Sequence, residues 1–322
     1  MAAKYLLAYT GPLTMAVALA YQSYWSWFPL LFLFFILPLA EYFSPIQDDN
    51  LKEDKIAEWS DRKIFDYILY GNVFLIWGLL LWFASVLTHQ SLLLWETIGL
   101  IVGMGIVLGS FGINVAHELG HRVDRFSQIM AGLLLLPALF LRFTIEHNHG
   151  HHKYVATDRD PASAQKGLNL YRFIARSFVG TYRGSFQIEA RRLRRKGIPA
   201  IGLKNRILQY EGLQILYLLT MGWVFGWAII PFLIAAALVA IVLLEAVNYI
   251  EHYGLRRKKL PSGKYEPVSA DHSWNSSHLI SRIFLYELSR HPDHHQRADK
   301  KYQILDHEAA SPQMPYGYPH MI

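Results

Sequence analysis

The stretch from Ser127 to Ile145 reads SQIMAGLLLLPALFLRFTI, and whether it crosses a bilayer decides the fold around it. Its length is close to the roughly 20 apolar residues that a membrane-spanning helix needs. Two histidine-rich strings flank it: His117-Glu118-Leu119-Gly120-His121 before, and Glu146-His147-Asn148-His149-Gly150-His151-His152 after. If the stretch crossed, the two strings would emerge on opposite faces and could not share a site. It also contains Pro137 and Arg142. A proline interrupts helix hydrogen bonding, and an arginine near the bilayer centre is costly. The sequence therefore predicts a re-entrant or interfacial helix over 127–145. A reporter fused just after His152 that localised to the periplasm would overturn this layout.

Outward from that stretch lie six apolar runs, at 5–21, 25–43, 65–88, 92–116, 208–228 and 229–250. Each approaches or exceeds spanning length. Pro231 marks the expected break between the last two. The first run follows Lys4 like a signal peptide, but it lacks a clear small-residue cleavage site and a second run follows at once. The expected fold is all-α and integral to the membrane, with six transmembrane helices, the re-entrant or interfacial helix and a cytoplasmic helical cap. Residues 1–322 form one membrane-embedded domain, with cytoplasmic portions at 44–63, 117–207 and 251–322.

The charge pattern agrees with this topology. Of 31 Lys and Arg residues, all but Arg142 lie outside these seven apolar runs and on one side of the alternating layout. That is the positive-inside pattern, and it argues against nucleic-acid binding as the meaning of the +6 net charge. The run Arg191-Arg192-Leu193-Arg194-Arg195-Lys196 suits a solvated face, a contact with anionic lipid heads, or docking of an acidic electron carrier. There is no cysteine, so disulfides, thiolate-ligated iron and an internal iron–sulfur module are excluded. Glycines 99, 103, 105, 109 and 112 line the fourth run. They serve close helix packing, or make room for a substrate tube along the stripe Ile106, Ser110, Ile113 and His117.

The chain has 15 histidines, and two further groups join the first two: Asn248-Tyr249-Ile250-Glu251-His252 and His291-Pro292-Asp293-His294-His295. His117 and His121 stack one turn apart on a helix. His147 and His151 repeat that step. The adjacent rings His151 and His152 differ by about 100° in direction and so can reach different metal ions; His294 and His295 form the same doublet. Pro292 suits the first helical position, which places His291 at the cap. With His149, mid-string, set aside, the nine remaining grouped imidazoles exceed the capacity of one metal, so two ions are implied, and imidazole is a common ligand for redox-active iron. Glu118, Glu146, Glu251 and Asp293 each stand beside a candidate ligand and suit orientation of imidazole N–H groups. His117 to His121 also matches H-E-x-x-H, a zinc-protease pattern. A membrane zinc protease would leave the other histidine groups unexplained. A non-catalytic metal transporter or sensor is the remaining rival.

The strings resemble those of the integral-membrane alkane monooxygenases, within the wider class of histidine-box di-iron desaturases and hydroxylases. The resemblance is carried by Asn114-Val115-Ala116-His117-Glu118-Leu119-Gly120-His121-Arg122, by Glu146 to His152, and by Leu288-Ser289-Arg290-His291-Pro292-Asp293-His294-His295. It extends to Asn248-Tyr249-Ile250-Glu251-His252-Tyr253-Gly254-Leu255 and His272-Ser273-Trp274-Asn275-Ser276-Ser277-His278, and covers about Asn114 to Tyr318. It implies two non-haem iron ions held by His117, His121, His147, His151, His152, His252, His291, His294 and His295. It implies a site on the cytoplasmic side of the inner membrane, O2 as co-substrate, and rubredoxin with its reductase as electron source. The implied reaction is RH + O2 + 2 e− + 2 H+ → ROH + H2O at the terminal carbon of an alkane. Xylene-type hydroxylation of aromatic methyl groups and fatty-acyl desaturation or hydroxylation are the alternatives that share the architecture. His272 and His278 belong to a motif without being expected ligands, His149 is expected to face away, and His89, His307 and His320 are read as surface residues. Two departures stand out. The chain stops at Ile322 where members of the family continue, so a further C-terminal element is expected, and Pro292 replaces a small polar residue.

Overall fold

The computed structural model describes residues 2–322, and its regular elements are helices. Among the described residues no strand forms, and β-pairing is limited to isolated bridges such as Ile46 with His278. Helices are the expected outcome for apolar runs in lipid, because every backbone N–H and C=O must find its partner within the segment.

A 3-10 segment, Ala2–Tyr9, leads into α1, Thr10–Tyr21. Gln22 and Ser23, both at φ 46°, turn the chain into α2, Ser23–Tyr42. Then come α3, Lys63–His89, and α4, Leu94–Gly120. The elements α5 (Arg125–Leu135), α6 (143–154) and α7 (Leu170–Arg194) precede α8 (Arg206–Phe225) and α9 (Trp227–His252). A short α10, His291–Gln296, lies in the C-terminal region.

Four of these helices, α2, α3, α4 and α9, are long and apolar enough to cross a membrane, which makes the chain a multi-pass membrane protein. Their surroundings fit that setting. Phe74, Leu94 and Trp223 are each more than 70% exposed, as side chains facing lipid would be. The central helix is α4, whose apolar stretch is 78% buried against 22% for α2. Its glycines explain the close packing: a Cβ on Gly105 would fall 2.4 Å from the Val239 side chain of α9.

The 127–145 stretch does not form one helix. Asp124 caps α5 by accepting from Ser127 N at 2.8 Å, and the helix ends at Leu135. Its 11 residues rise about 16 Å, roughly half of a hydrocarbon core. The chain then turns through Leu136 to Arg142, with Leu139 at φ 51°, and enters α6. This reversal brings the His147 ring within 4.5 Å of the His117 ring, centroid to centroid.

One boundary and the content of two segments differ from the sequence reading. The break between α8 and α9 sits at Gly226, φ 89°, rather than at Pro231. Glycine supplies the left-handed residue that ends a helix, whereas Pro231 lies in the first turn, where no N–H donor is required. The basic 153–207 segment contains α7, a 25-residue helix started by the Asn169 cap. Its buried face repeats every fourth residue, through Phe173, Ser177, Thr181, Ser185, Glu189 and Leu193. Four of those six are polar, so a search for apolar periodicity passes over it. Of the portions expected to form the cytoplasmic helical cap, 117–207 contains α7, whereas 253–322 is largely irregular with helices of three to six residues. Prolines at 261, 267, 312 and 315 interrupt it, while Pro292 and Pro319 stand in the first turns of short helices. It is held by buried polar contacts instead: Glu287 accepts from Lys4, Tyr5 and Arg282, while Arg290 donates to the carbonyls of Asp49 and Leu305.

Candidate metal centre

Nine of the histidines meet in two adjoining groups. His117, His121, His147, His152 and His294 form one; His151, His252, His291 and His295 form the other. Within each group the candidate ligand atoms lie within 4.8 Å of one another. His152 and His295 stack at 4.5 Å where the groups adjoin.

Local helix geometry sorts the rings. At the end of α4, His117 and the C-cap residue His121 keep α-helical spacing and fall in the same group. The second string behaves differently, because His147 to His151 wind as a π-helix. A π turn brings residues i and i+5 together rather than i and i+4. His147 therefore shares a group with His152, their Nε2 atoms 3.0 Å apart, and His151 is delivered to the other group. In α10, His291 and His295 pair at 3.0 Å through Nε2, and His294 points to the first group. The helix begins at His291, with Arg290 in the cap position assigned from sequence to His291.

The donor set fits metal ions. Nε2 atoms face each other at 3.0 to 3.2 Å in four pairs. Bonds of about 2.1 Å at right angles place neighbouring ligand nitrogens about 3.0 Å apart, against about 3.4 Å for tetrahedral bonds. The buried Nε2 atoms of His117, His121 and His151 have no hydrogen-bond partner. Five imidazoles in one group also exceed the four ligands that satisfy a structural zinc.

Charge state favours the same use. Burial, reinforced by the crowding of neighbouring imidazoles against taking up further protons, pushes His147, His152, His291, His294 and His295 well below the ordinary imidazole range; burial and Arg122 push His121 to about 4. Near neutral pH these rings are uncharged and offer lone pairs. Two of the nine have their outer nitrogens engaged. His151 Nδ1 lies 2.9 Å from Asp160 Oδ2, and His252 Nδ1 lies 3.1 Å from the His272 carbonyl. A proton on each Nδ1 donates outward and leaves Nε2 free to face inward.

The four carboxylates singled out from sequence take different places. Glu251 reaches the centre, with Oε2 3.3 Å from His291 Nε2 and Oε1 accepting from the Tyr318 hydroxyl at 3.0 Å. It lies on the inward side of that ring and could add an oxygen donor. Glu118 accepts from Arg122 and from Tyr302 N, and Asp293 from Arg297, Lys300 and Asp306 N. These two brace the backbone around the ligand helices. Glu146 Oε1 occupies the space a Cβ on Gly150 would fill, 2.4 Å away, which is why glycine stands there.

Asp160 was not anticipated. It accepts from His151, Ser163 Oγ and Ala162 N. Burial alone would raise its carboxyl, but His151 and these hydrogen bonds hold it below the usual range. Only its place eight residues after His152 hinted at this, and no spacing rule connects them. Tyr318 gave no signal either. His149 is exposed and outside both groups, and His89 and His320 are exposed as expected. His307 is not a free surface residue: its Nδ1 lies 2.8 Å from Ser277 Oγ and 3.0 Å from Asn275 Nδ2. His272 bonds Glu266 and Ser269, and His278 bonds Ser276.

An apolar cavity of about 60 Å³ ends at His117, His147 and His291. Gly109, Ser110 and Ile113 of α4 line it, as does Phe34 of α2. The glycine-rich helix thus serves packing at Gly105 and a cavity wall one turn further on; Ile106 is not part of that wall.

Comparison with known proteins adds three findings. The fatty acid desaturase family matches residues 91–322. Alkane 1-monooxygenase 2 of Pseudomonas aeruginosa is 36% identical over 94% of this chain and 81% of its own length, and alkane 1-monooxygenase 2 of Alcanivorax borkumensis is 35% identical over 92% and 78%. The xylene/toluene monooxygenase hydroxylase component of Pseudomonas putida is 30% identical over 68% of this chain and 58% of its own length.

Proposed function

The chain belongs to the fatty acid desaturase family, and we propose that it is a membrane di-iron alkane 1-monooxygenase, hydroxylating the terminal carbon of alkanes. The observation that carries this is an apolar cavity, walled by bilayer-crossing helices, ending on two groups of imidazoles. All nine histidines are assigned as ligands, five to one iron and four to the other, with Glu251 at the edge of the second group. When bound, the two irons supply O2 activation and cleavage of the C–H bond.

The protein's own residues do the rest. Asp160 and the His272 carbonyl fix the tautomers of His151 and His252. Ser110, Ile113, Phe143 and Leu244 line the approach and exclude water, so that a methyl end can sit beside His117 and His147. Alkane dissolved in lipid reaches this cavity from between α2 and α9, whose Phe34 and Leu243 line it.

We count α1 with its 3-10 lead and α8 as two further spans, for six. The Lys and Arg distribution supports a centre on the cytoplasmic side of the inner membrane. Residues 1–322 contain no cysteine to hold an iron–sulfur or rubredoxin centre, and rubredoxin with its reductase is the proposed electron source. The solvent-open cleft lined by Lys153, Arg191, Arg192, Arg195 and Lys196 beside His149 suits an acidic carrier.

The test is turnover by purified protein in lipid, with iron measured per chain and octane, hexadecane and xylene supplied separately. The expected product is 1-octanol at about two irons per chain. Oxidation of xylene alone would transfer the assignment to aromatic methyl groups, the reading favoured by the Pseudomonas putida relative. One zinc per chain and no hydrocarbon oxidation would remove both.

A further inference from the structure

Two turns before His252, α9 carries an ionisable side chain within its bilayer-crossing stretch. Glu245 is 1% exposed. A carboxyl group in such a place is costly and is normally kept for function. It lines a cavity of about 20 Å³, room for one or two waters, together with Arg142, Glu146, Thr181 and Asn248. The same cavity touches His147 of the first imidazole group and His151 of the second.

The charges around it do not balance pairwise. Arg142 is enclosed by the rings of Phe140, Phe178 and Tyr182, and its Nε and Nη2 have no hydrogen-bond partner. It faces Glu146 beside it, Glu211 from α8 and Glu245 from α9, while Asp160 and Ser177 also neighbour Glu245. One guanidinium faces three carboxylates, so Glu245 shares its counter-charge with Glu146 and Glu211. Glu245 Oε2 accepts from Asn248 Nδ2 at 3.2 Å.

The cavity also lies between a solvent cleft and the imidazole groups. On one side Glu146 is shared with a polar cleft of about 650 Å³ along α7, lined by Arg176, Arg183 and Gln187. On the other, Phe143, His147, Leu244 and Asn248 are shared with the apolar cavity that ends at the histidines.

From this placement we infer that Glu245 is the proton relay of the metal centre, drawing from the cleft along α7 and delivering beside His147 and His151. The inference rests on the monooxygenase reading, in which each turnover consumes two electrons from the external carrier and two protons. O2 is reduced to the alcohol oxygen and water while the substrate carbon is oxidised. Each proton leaves the Glu245 carboxyl O–H toward the centre through cavity water, and the carboxylate regains one from water in the cleft. Glu245 touches neither substrate nor metal, so it acts through water.

The test compares Glu245→Gln, which keeps the shape without a transferable proton, with Glu245→Asp, which keeps the acid. Wild-type octane turnover is established first, so that failure of the monooxygenase reading shows separately. Gln should lower kcat about 100-fold, the low end of what a positioned acid supplies. It should also raise H2O2 released per electron consumed, at unchanged iron content and KM, while Asp retains a third or more of the rate. In metal-free wild type, infrared spectra should contain a protonated carboxyl band that shifts in D2O and is altered in whichever variant inserts. Equal rates and solvent isotope effects for wild type and Gln, or absence of that band, would overturn the relay.

Discussion

Replacing Asp160 with Asn should weaken one of the two metal positions and spare the other. Asp160 is fully buried and accepts from His151 Nδ1 at 2.9 Å, Ser163 Oγ at 2.6 Å and Ala162 N at 3.0 Å. Asparagine keeps the shape but replaces one oxygen with an NH2, which can accept from neither the ring nor the hydroxyl. Losing a hydrogen bond to a charged group costs about 1.5–3 kcal/mol. Removing an outer partner of a ligating histidine typically weakens metal binding about 10–100-fold. That range equals about 1.4–2.8 kcal/mol, so the two routes agree. Because His151 belongs with His252, His291 and His295, the loss should fall on that group alone. Iron per chain, followed through a graded chelator titration with Mössbauer spectra at each step, gives the measurement. Asp160→Asn should pass through a state with about one iron per chain at chelator levels that leave wild type loaded. Retention of both irons at wild-type affinity, or parallel loss of both, would refute the reasoning.

Other expectations follow from the same geometry. His151→Ala and His152→Ala, though adjacent, should each abolish turnover, leave membrane insertion intact and perturb different irons; identical Mössbauer spectra for the two would contradict the π-helical sorting. Ile113→Trp should narrow the apolar cavity and reduce kcat/KM for hexadecane more than for octane, and an equal loss for both would count against substrate lying along α4. Against the upward push of burial, Arg192 and Arg206 hold the Glu189 carboxyl at about 2, below its ordinary 4.5. Its support of the α7–α8 junction is therefore complete above pH 4.5 and lost as pH falls toward 2. Hydrogen exchange at residues 197–206, corrected for intrinsic rates, should speed up over that window, and Glu189→Gln should show the faster rate at neutral pH. Constant wild-type protection across the window would exclude this role.

Much of this was legible in one dimension because hydrophobicity and histidine spacing are local properties. The apolar runs became α2, α3, α4 and α9 where expected. The flanking histidine strings, with Pro137 and Arg142, led to one re-entrant or interfacial helix over 127–145; the structure corrects this, because α5 stops at Leu135 and the chain turns before α6. Helix α7 escaped because a protein surface, rather than lipid, covers its buried face, so Ser177, Ser185 and Glu189 can stand where apolar residues were sought. His307 was misread because its partners Asn275 and Ser277 lie some thirty residues away.

By itself the sequence determined which side chains were available: nine grouped imidazoles, no thiolate, and apolar runs long enough to require lipid. Those are matters of residue type and spacing, which solvent partitioning and helix pitch translate directly. Tertiary structure alone decided the partition into five and four, through a π turn at His147 to His151, and alone brought Asp160 to His151 and Tyr318 to Glu251. The physical reason is that an i to i+5 turn and a contact between distant chain segments are selected by packing in three dimensions. Neither leaves a periodic mark in the chain.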